Sequence, residues 1–140
     1  MSALTIRTYH SDDEQSVVEL WRRCGLVVPQ NDPRRDIAIK CAYQPELFFV
    51  GLAGDELIAT TMAGFEGHRG WINYLAVDPQ HRRHGIGRWM MDHAEQVLRA
   101  LGCPKINLQV RRSNGAVLAF YERIGFREDA CVSLGKRLSP

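Results

Sequence analysis

A basic, glycine-containing segment follows an apolar run near the middle of the chain, and its residue types could bind an anion. The apolar run covers residues 74–77 and ends at Asp78-Pro79, and the basic segment reads Arg82-Arg83-His84-Gly85-Ile86-Gly87. It contains three Arg or His side chains and two glycines but no carboxylate. Successive backbone N–H groups in such a loop can turn inward around an anion at a helix N-terminus. The segment therefore predicts a site for a phosphate-bearing cofactor.

The glycines and arginines of this segment have separate expected roles. Gly85 permits a positive φ and a close approach of the backbone to phosphate, and Gly87 lets the following helix pack closely on the strand. The dipole of that helix favours negative charge at its N-terminus by roughly 0.3–1 kcal/mol. Arg82, Arg83 and Arg88 can add charge-assisted hydrogen bonds to phosphate.

Two further residues whose side chains could bind a ligand or take part in catalysis lie near the C-terminal end of the chain. Asn114 opens a helical pattern and suits an N-cap, because its side-chain oxygen can accept a backbone N–H. Tyr121 lies on the inner face of the same helical pattern. Its phenol, with an ordinary pKa of about 10, is protonated at neutral pH and can donate a proton. Each also has a purely structural interpretation, as a helix cap for Asn114 and as a core aromatic residue for Tyr121.

Apolar periodicity places these residues in an α/β fold. Strands are predicted at residues 4–9, 47–53, 56–65, 71–77 and 105–110, with a final hairpin over residues 126–138. Helices are predicted at residues 13–24, 34–43, 86–101 and 114–124. The long third helix joins two strands that should be parallel neighbours. We expect a mixed sheet of about six to seven strands, antiparallel at the ends with a parallel pair in the middle, flanked by about four helices.

Length and composition favour one globular domain over residues 1–140. A chain of 140 residues suits a single core, and 45% hydrophobic with 24% charged residues is an ordinary globular composition. No apolar run approaches the roughly 20 residues that a bilayer span needs, so no membrane association is expected. The N-terminus has no pattern of a secretion signal, so a cytoplasmic location is expected.

Charge and metal-ligand patterns argue against two other classes of protein. A formal net charge of +2 is small, and the arginines are not interleaved with aromatic residues as a nucleic-acid surface requires. The four cysteines are widely spaced, without a C-x-x-C pair. His81 and His84 are three residues apart but lack an evident third ligand, so no metal is predicted.

Taken together, the Arg82-x-x-Gly85-x-Gly87 loop, Asn114, Tyr121 and the pair Gly125-Phe126 resemble the acetyl-coenzyme A and catalytic segments of the GNAT superfamily of N-acetyltransferases. The order of predicted elements fits that family as well, and the sequence looks most like the small bacterial YpeA-type acetyltransferases. The resemblance implies that backbone N–H groups of residues 83–87 grip the cofactor pyrophosphate, while the strand edge at residues 75–77 pairs with the pantetheine arm. The implied cofactor-binding set is Leu75, Ala76, Val77, Arg82, Arg83, His84, Gly85, Ile86, Gly87, Arg88 and Asn114.

The implied activity is direct transfer of an acetyl group from acetyl-coenzyme A to a primary amine of a small molecule or peptide. Tyr121 matches the general acid that protonates the leaving thiolate. The attacking amine must be neutral, so a base is also needed. Related protein acetyltransferases often carry a Glu where this chain has Gln109, which cannot serve. Glu66 is the candidate base, with His68 or an ordered water fed by Tyr74 as alternatives.

Two other functions stay open at the level of sequence. Because no base is evident at Gln109, the chain could be a noncatalytic module that binds or senses coenzyme A. The arginines at 82, 83, 88, 111 and 112 leave a small nucleic-acid binder as a third, less favoured interpretation. Homodimers are common in the family that the chain resembles, so a homodimer is an expectation as well.

Overall fold

Apolar runs in the first 108 residues form one five-stranded sheet in the computed structural model, which describes residues 3–140. The strands, in both chain order and sheet order, are β1 (Leu4–Thr8), β2 (Phe48–Ala53), β3 (Glu56–Phe65), β4 (Gly70–Val77) and β5 (Ile106–Asn107). Neighbouring strands are antiparallel except for β4 and β5, which are parallel. The predicted mixed α/β fold is thereby confirmed.

The predicted count of six to seven strands is wrong, and the parallel pair lies at the edge of the described sheet, not in its middle. Residues 126–138 form no strand, and the strand predicted at residues 105–110 is reduced to Ile106–Asn107. Alternating apolar residues specify a strand when one of its faces is buried. Here Val132 and Leu134 are 83% and 90% exposed, so the apolar pattern of this segment has no core to cover.

Four helices accompany the sheet, as predicted. They are α1 (Glu14–Arg23), α2 (Pro33–Ala42), α3 (Ile86–Ala100) and α4 (Gly115–Arg123). The described chain divides into two compact units, one ending at Leu108 and the other formed by Gln109–Pro140, which contains α4. No helix among residues 3–140 is long and apolar enough to cross a membrane.

The long helix α3 packs against the sheet where a glycine leaves room for it. A Cβ on Gly51 of β2 would lie 2.8 Å from Met90 Sδ and 3.2 Å from the ring of Trp89. The sequence predicted close packing of the helix on the strand at Gly87. The structure shows such close packing at Gly51 of β2. Leu101, just beyond the end of α3, is 54% exposed.

Side chains of α2 and the turn after it replace a missing strand beside β3. The β2–β3 ladder ends at the pair of Phe48 and Met62, so the next residues of β3 have no partner there. Lys40 Nζ donates to the Ala63 carbonyl. The Gln44 amide accepts from Phe65 N at 3.0 Å and donates to Phe65 O at 2.8 Å. These bonds satisfy backbone groups that would otherwise be unpaired, and they hold α2 beside the sheet.

The start of α1 is held by a two-pronged ion pair whose strength depends on pH. Arg7 donates from Nη1 and Nη2 to the two carboxylate oxygens of Asp13 at 2.7 and 2.9 Å, and His10 N donates to Asp13 Oδ2 at 2.9 Å. Asp13 is buried. The hydrogen bonds from Arg7 hold the pKa of Asp13 below its ordinary value of 3.8, and the backbone bond from His10 adds to this against the opposing effect of burial.

A lowered pKa in the folded state means that this pair stabilises the fold above the unfolded-state pKa and ceases to do so as the pH falls through the folded-state value. Asp13→Asn is expected to lower the free energy of unfolding at pH 7 by about 2 kcal/mol, the usual scale for a hydrogen bond to a charged group. The difference from wild type should shrink below about pH 3.8. Urea unfolding at pH 7, 5 and 3 measures it, with the exposed Asp12→Asn as control. A difference that stays constant with pH would contradict the assignment.

Candidate active site

A bulge interrupts β4 just before the loop singled out from the sequence. Thr60 pairs with Ala76 and Met62 pairs with Asn73, so Tyr74 and Leu75 together stand opposite Thr61. Tyr74 has φ 51°, which is rare for a residue with a bulky side chain. One residue of β4 is thereby left without a partner on β3, and the strand bends at that point.

Buried hydrogen bonds hold the bulge in place. Trp21 Nε1 donates to Thr60 Oγ1 at 2.9 Å, and the same hydroxyl donates to the Tyr74 carbonyl at 2.8 Å. The rings of Trp21 and Tyr74 are stacked with centroids 3.8 Å apart. Because strained backbone persists where its surroundings over-determine it, these contacts mark the bulge as a built feature of the site.

The edge of β4 that faces β5 is open along most of its length. β4 pairs with β5 at Gly70 and Trp71, and the ladder goes no further. Over residues 72–77, β4 has no strand partner on this edge within the described part of the chain. The open edge includes Leu75, Ala76 and Val77, and of these the Val77 carbonyl already accepts hydrogen bonds from Cys24 Sγ and Arg82 Nε.

Asp78 anchors the chain where β4 ends. Its carboxylate accepts from Gln80 N at 2.9 Å and from Arg23 Nη2 of α1 at 2.8 Å. Burial alone would raise its pKa, but the hydrogen bonds from Gln80 and Arg23 outweigh burial and lower it. Arg82 Nε donates to the Val77 carbonyl at 3.2 Å, which ties the basic loop back to the end of β4.

The backbone of the basic loop contains two residues with positive φ just before α3. Arg83 and Gly85 have φ values of 67° and 74°, and Gly85 is the residue that precedes α3. The first N–H groups of a helix lack helical partners, and here no side chain caps them. Arg83, His84 and Gly85 are exposed, and a Cβ on Gly85 would meet no atom within 4 Å. The space beside the loop is therefore open to a ligand.

The side chains of the loop are available in different degrees. Ile86 is buried and serves the core, and Gly87 is half-buried. Arg88 lies 3.9 Å from Asp92 one helical turn later, in an exposed pair. Arg83 and His84 have no hydrogen bond or ion pair with any residue that the structure describes, so their side chains can meet an incoming anion.

Asn114 and Tyr121 lie together in α4 of the second unit. Asn114 Oδ1 accepts from Val117 N at 3.3 Å, so Asn114 is the helix cap that its sequence position suggested. Tyr121 is buried, with its ring 5.1 Å from that of Phe120 and 5.5 Å from that of Phe126. Burial raises the pKa of Tyr121 to about 12, so the phenol stays protonated across the physiological range.

Glu66 and Gln109 have partners of their own. Glu66 is exposed in the turn before β4, and its Oε1 accepts from the backbone N–H groups of Arg69 and His68. These bonds lower the pKa of Glu66, which weakens it as a base. Its catalytic role stays a prediction. Gln109 Nε2 donates to Ser133 Oγ within the second unit.

One group of side chains has the composition of a metal site. Ligand atoms of Glu56, Asp78 and His81 all lie within 4.8 Å of one another, and His81 Nδ1 is enclosed without a hydrogen-bond partner. His81 is partly buried, at the end of the turn that follows Asp78. The guanidinium of Arg23 already neutralises Asp78 at 2.8 Å and would repel a cation. That the protein binds no metal remains a prediction from the sequence.

A surface cavity of about 530 Å³ lies beside this group, between α1 and the turn that joins β2 to β3. Its lining includes Glu19, Arg23, Asp55 and Asp78, but none of residues 82–87 and no residue of the β4 bulge. Its walls carry acidic groups, which disfavour a phosphate, so we do not assign it to the cofactor.

In the structure, the predicted strand edge and the predicted loop are separated along the chain by Asp78 and the 3-10 turn at Pro79–His81. The structure also reveals residues that the sequence did not single out, namely Thr60 behind the bulge, Asp78 at the start of the loop, and Asp36 of α2, which accepts a hydrogen bond from Tyr74. Of these, Asp78 had a signal in the Asp-Pro that ends the apolar run. Thr60 and Asp36 had none, because their contacts join residues far apart in the chain.

Comparison with known proteins agrees with this geometry. Residues 14–126 match the acetyltransferase (GNAT) family. The chain is 42% identical over 135 residues to an acetyltransferase of Pectobacterium atrosepticum, and 43% identical over 136 residues to one of Sodalis glossinidius, with 96% of each chain covered in both cases. In fold it is similar to the PaiA N-acetyltransferase of Thermoplasma acidophilum, solved in complex with coenzyme A, with a TM-score of 0.79, 18% identity and 93% of each chain covered. The chain therefore belongs to the GNAT family and is an N-acetyltransferase.

Proposed function

We propose that this enzyme transfers an acetyl group from acetyl-coenzyme A to a primary amine by direct attack of the amine. The observation that carries the proposal is the open edge of β4, which is followed along the chain by the 3-10 turn at Pro79–His81, by a loop with positive φ and by the uncapped N-terminus of α3. A strand edge can pair with an extended amide-containing arm, and a helix N-terminus favours a phosphate. Both features in succession fit the pantetheine and pyrophosphate parts of one ligand.

The residues of the loop fit the charge of that ligand. Backbone N–H groups of residues 83–87 would hold the pyrophosphate, and the unpaired side chains of Arg83 and His84 can add hydrogen bonds to it. Residues 75–77 would pair with the pantetheine arm. The amide nitrogen of Asn114 has no partner among the described residues, so Asn114 can bond the arm while its oxygen caps α4.

Acetyl-coenzyme A supplies the acetyl group as a thioester. The neutral amine forms the new C–N bond, the C–S bond breaks, and Tyr121 donates its phenolic proton to the departing sulfur. The nitrogen then releases its surplus proton to solvent, and the tyrosinate regains a proton from solvent. The raised pKa of Tyr121 keeps that proton in place until the thiolate, a stronger base than the thioester, develops. No cysteine occurs in either predicted site segment, which favours direct transfer over an acylated enzyme.

Calorimetry with acetyl-coenzyme A, followed by a thiol-release assay, tests the proposal. The acceptor panel is spermidine, glycine, an aminoglycoside, an alanine-initiated peptide and a lysine peptide blocked at its N-terminus. We expect binding of acetyl-coenzyme A and amine-dependent release of free thiol. Absence of binding would remove the function, while binding without thiol release for any amine would favour the noncatalytic coenzyme A module.

We also propose the extent of the domain, its specificity, its location and its oligomeric state. We infer that residues 1–140 act as one acetyltransferase domain, which the family match across residues 14–126 supports. A YpeA-type specificity, a small-molecule or peptide acceptor, a cytoplasmic location and a homodimer stay proposals. The release assay, and light scattering for the oligomeric state, address the acceptor and the dimer directly.

A further inference from the structure

Two polar side chains from distant parts of the chain meet beside the β4 bulge. The Tyr74 hydroxyl donates to Asp36 Oδ2 of α2 at 2.5 Å. Tyr74 is held on its other side by the stack on Trp21, and its carbonyl by Thr60. The Tyr74 side chain is thus held by its hydroxyl and its ring, and its backbone by Thr60. Such precision is typical of groups that position a reacting atom.

The carboxylate of Asp36 has no cationic partner among the described residues. Lys40, one helical turn further along α2, donates to the Ala63 carbonyl instead, and Arg34 pairs with Glu14 of α1. Asp36 lies in the first turn of α2, at the positive end of the helix dipole. The half-buried negative charge is therefore balanced by a single hydroxyl, and a cation that approaches Tyr74 would be attracted.

The surrounding charges reinforce this asymmetry. Asp32, the N-cap of α2, adds a second negative charge that acts on Tyr74. Burial, and then the hydrogen bond to Asp36, raise the pKa of Tyr74 well above its ordinary value, so the hydroxyl is protonated at neutral pH. The Tyr74 oxygen can therefore accept a hydrogen bond from an ammonium group while its own proton stays on the side of Asp36.

We propose that Tyr74 and Asp36 form the pair that deprotonates the acceptor amine, an inference that rests on the acetyl transfer proposed above. An ammonium N–H proton passes to Tyr74 Oη as the Tyr74 proton passes to Asp36 Oδ2. This leaves a neutral amine, a neutral tyrosine and a protonated Asp36. The nitrogen lone pair then forms the C–N bond, and the half-buried carboxyl returns its proton to solvent. Tyr74 contacts the amine, whereas Asp36 is a positioning and proton-holding residue behind it.

This assignment differs from the candidate base Glu66 for physical reasons. The two hydrogen bonds that Glu66 Oε1 accepts from the backbone N–H groups of Arg69 and His68 lower the pKa of Glu66, which weakens it as a base. Glu66 lies in the turn before β4. Tyr74 lies four residues beyond Gly70, the first residue of β4, which is roughly 13 Å along the strand at about 3.3 Å per residue. Tyr74, at the bulge, lies beside the open edge proposed to hold the thioester arm.

The test compares Tyr74→Phe, Asp36→Asn and the double variant, using the amine of the panel above that reacts fastest with wild type. At pH 7 we expect kcat/KM to fall about 100-fold in each single variant, the lower end of the general-base range, and no further in the double variant. The loss should shrink as the pH approaches the pKa of the amine, about 8 for an α-amino group or 10.4 for lysine, because a neutral amine needs no base. The affinity for acetyl-coenzyme A should stay within about twofold.

Controls separate this role from a structural one. Asp12→Asn makes the same change at an exposed residue and should leave the rate and its pH dependence as in wild type. Tyr74→Phe retains the ring that stacks on Trp21, and thermal unfolding shows whether each variant is folded. A loss that is equal at all pH values would mean that the pair only supports the bulge, and it would overturn the inference.

Other outcomes distinguish the inference from the function on which it rests. If Glu66→Gln shows the pH-dependent loss and Asp36→Asn does not, Glu66 is the base and the inference is overturned while acetyl transfer stands. If wild type binds acetyl-coenzyme A but releases no thiol with any amine, the proposed transfer itself fails, and the inference fails with it.

Discussion

Replacing Tyr121 with phenylalanine is expected to lower kcat at saturating acceptor by about 100-fold or more, because the leaving thiolate loses its proton donor. The phenylalanine ring keeps the edge contacts with Phe120 and Phe126 at 5.1 and 5.5 Å, so α4 should retain its packing. The affinity for acetyl-coenzyme A should change little. Steady-state thiol release and calorimetry on the same preparation measure both quantities.

The same change at Tyr43 provides the control, since Tyr43 is 62% exposed. Tyr43→Phe should leave kcat as in wild type. The pKa of Tyr121, raised to about 12, predicts that deprotonation of this acid causes no fall in wild-type kcat between pH 7 and pH 10. An unchanged kcat in Tyr121→Phe would remove Tyr121 as the acid, although the enzyme would remain an acetyltransferase.

Replacing Gly85 with valine is expected to weaken binding of acetyl-coenzyme A at least about 100-fold, which corresponds to about 2.7 kcal/mol. Gly85 has φ 74°, a conformation that β-branched residues essentially never adopt. A new Cβ would meet no protein atom, so the effect arises from the backbone of the loop and from the open space beside it. The N–H groups at the start of α3 would no longer converge on one anion. Calorimetry measures the loss.

Gly102 offers a matched control for this variant. It follows the other end of α3, has φ 84°, and its Cβ would also meet no atom within 4 Å. Gly102→Val should therefore carry a similar loss of stability, about 1–3 kcal/mol, without loss of binding. Equal affinities of both variants for acetyl-coenzyme A would show that the loop is not the binding site.

These experiments address residues that the sequence and the structure identified by different means. The loop at residues 82–87 and the ends of α1, α3 and α4 were predictable, because glycine, proline and charged residues act on their own neighbours in the chain. Local backbone preference and helix periodicity need no knowledge of the rest of the fold. The same local signals predicted that Asn114 would cap α4 and that Tyr121 would face inward.

The secondary structure predicted from the sequence was least accurate in the C-terminal segment. Alternation in residues 126–138 predicted a hairpin, but a strand exists only when a neighbouring strand and a covering layer satisfy it. With Val132 and Leu134 exposed, neither condition is met. The two-residue length of β5 likewise depends on its pairing with β4 and could not be found from its own side chains.

By itself, the sequence determined the basic glycine-containing loop that is proposed to bind an anion, the strand before it, the helices and the family, because each depends on residue types at fixed short spacings. Tertiary structure alone decided the bulge at Tyr74, its support by Thr60 and Trp21, and the meeting of Tyr74 with Asp36, 38 residues apart in the chain. Register and side-chain contact between distant segments follow from how the layers pack, and no local pattern encodes them. The sequence alone therefore predicts the acetyl donor, whereas the proposed proton acceptor can be identified only from the tertiary structure.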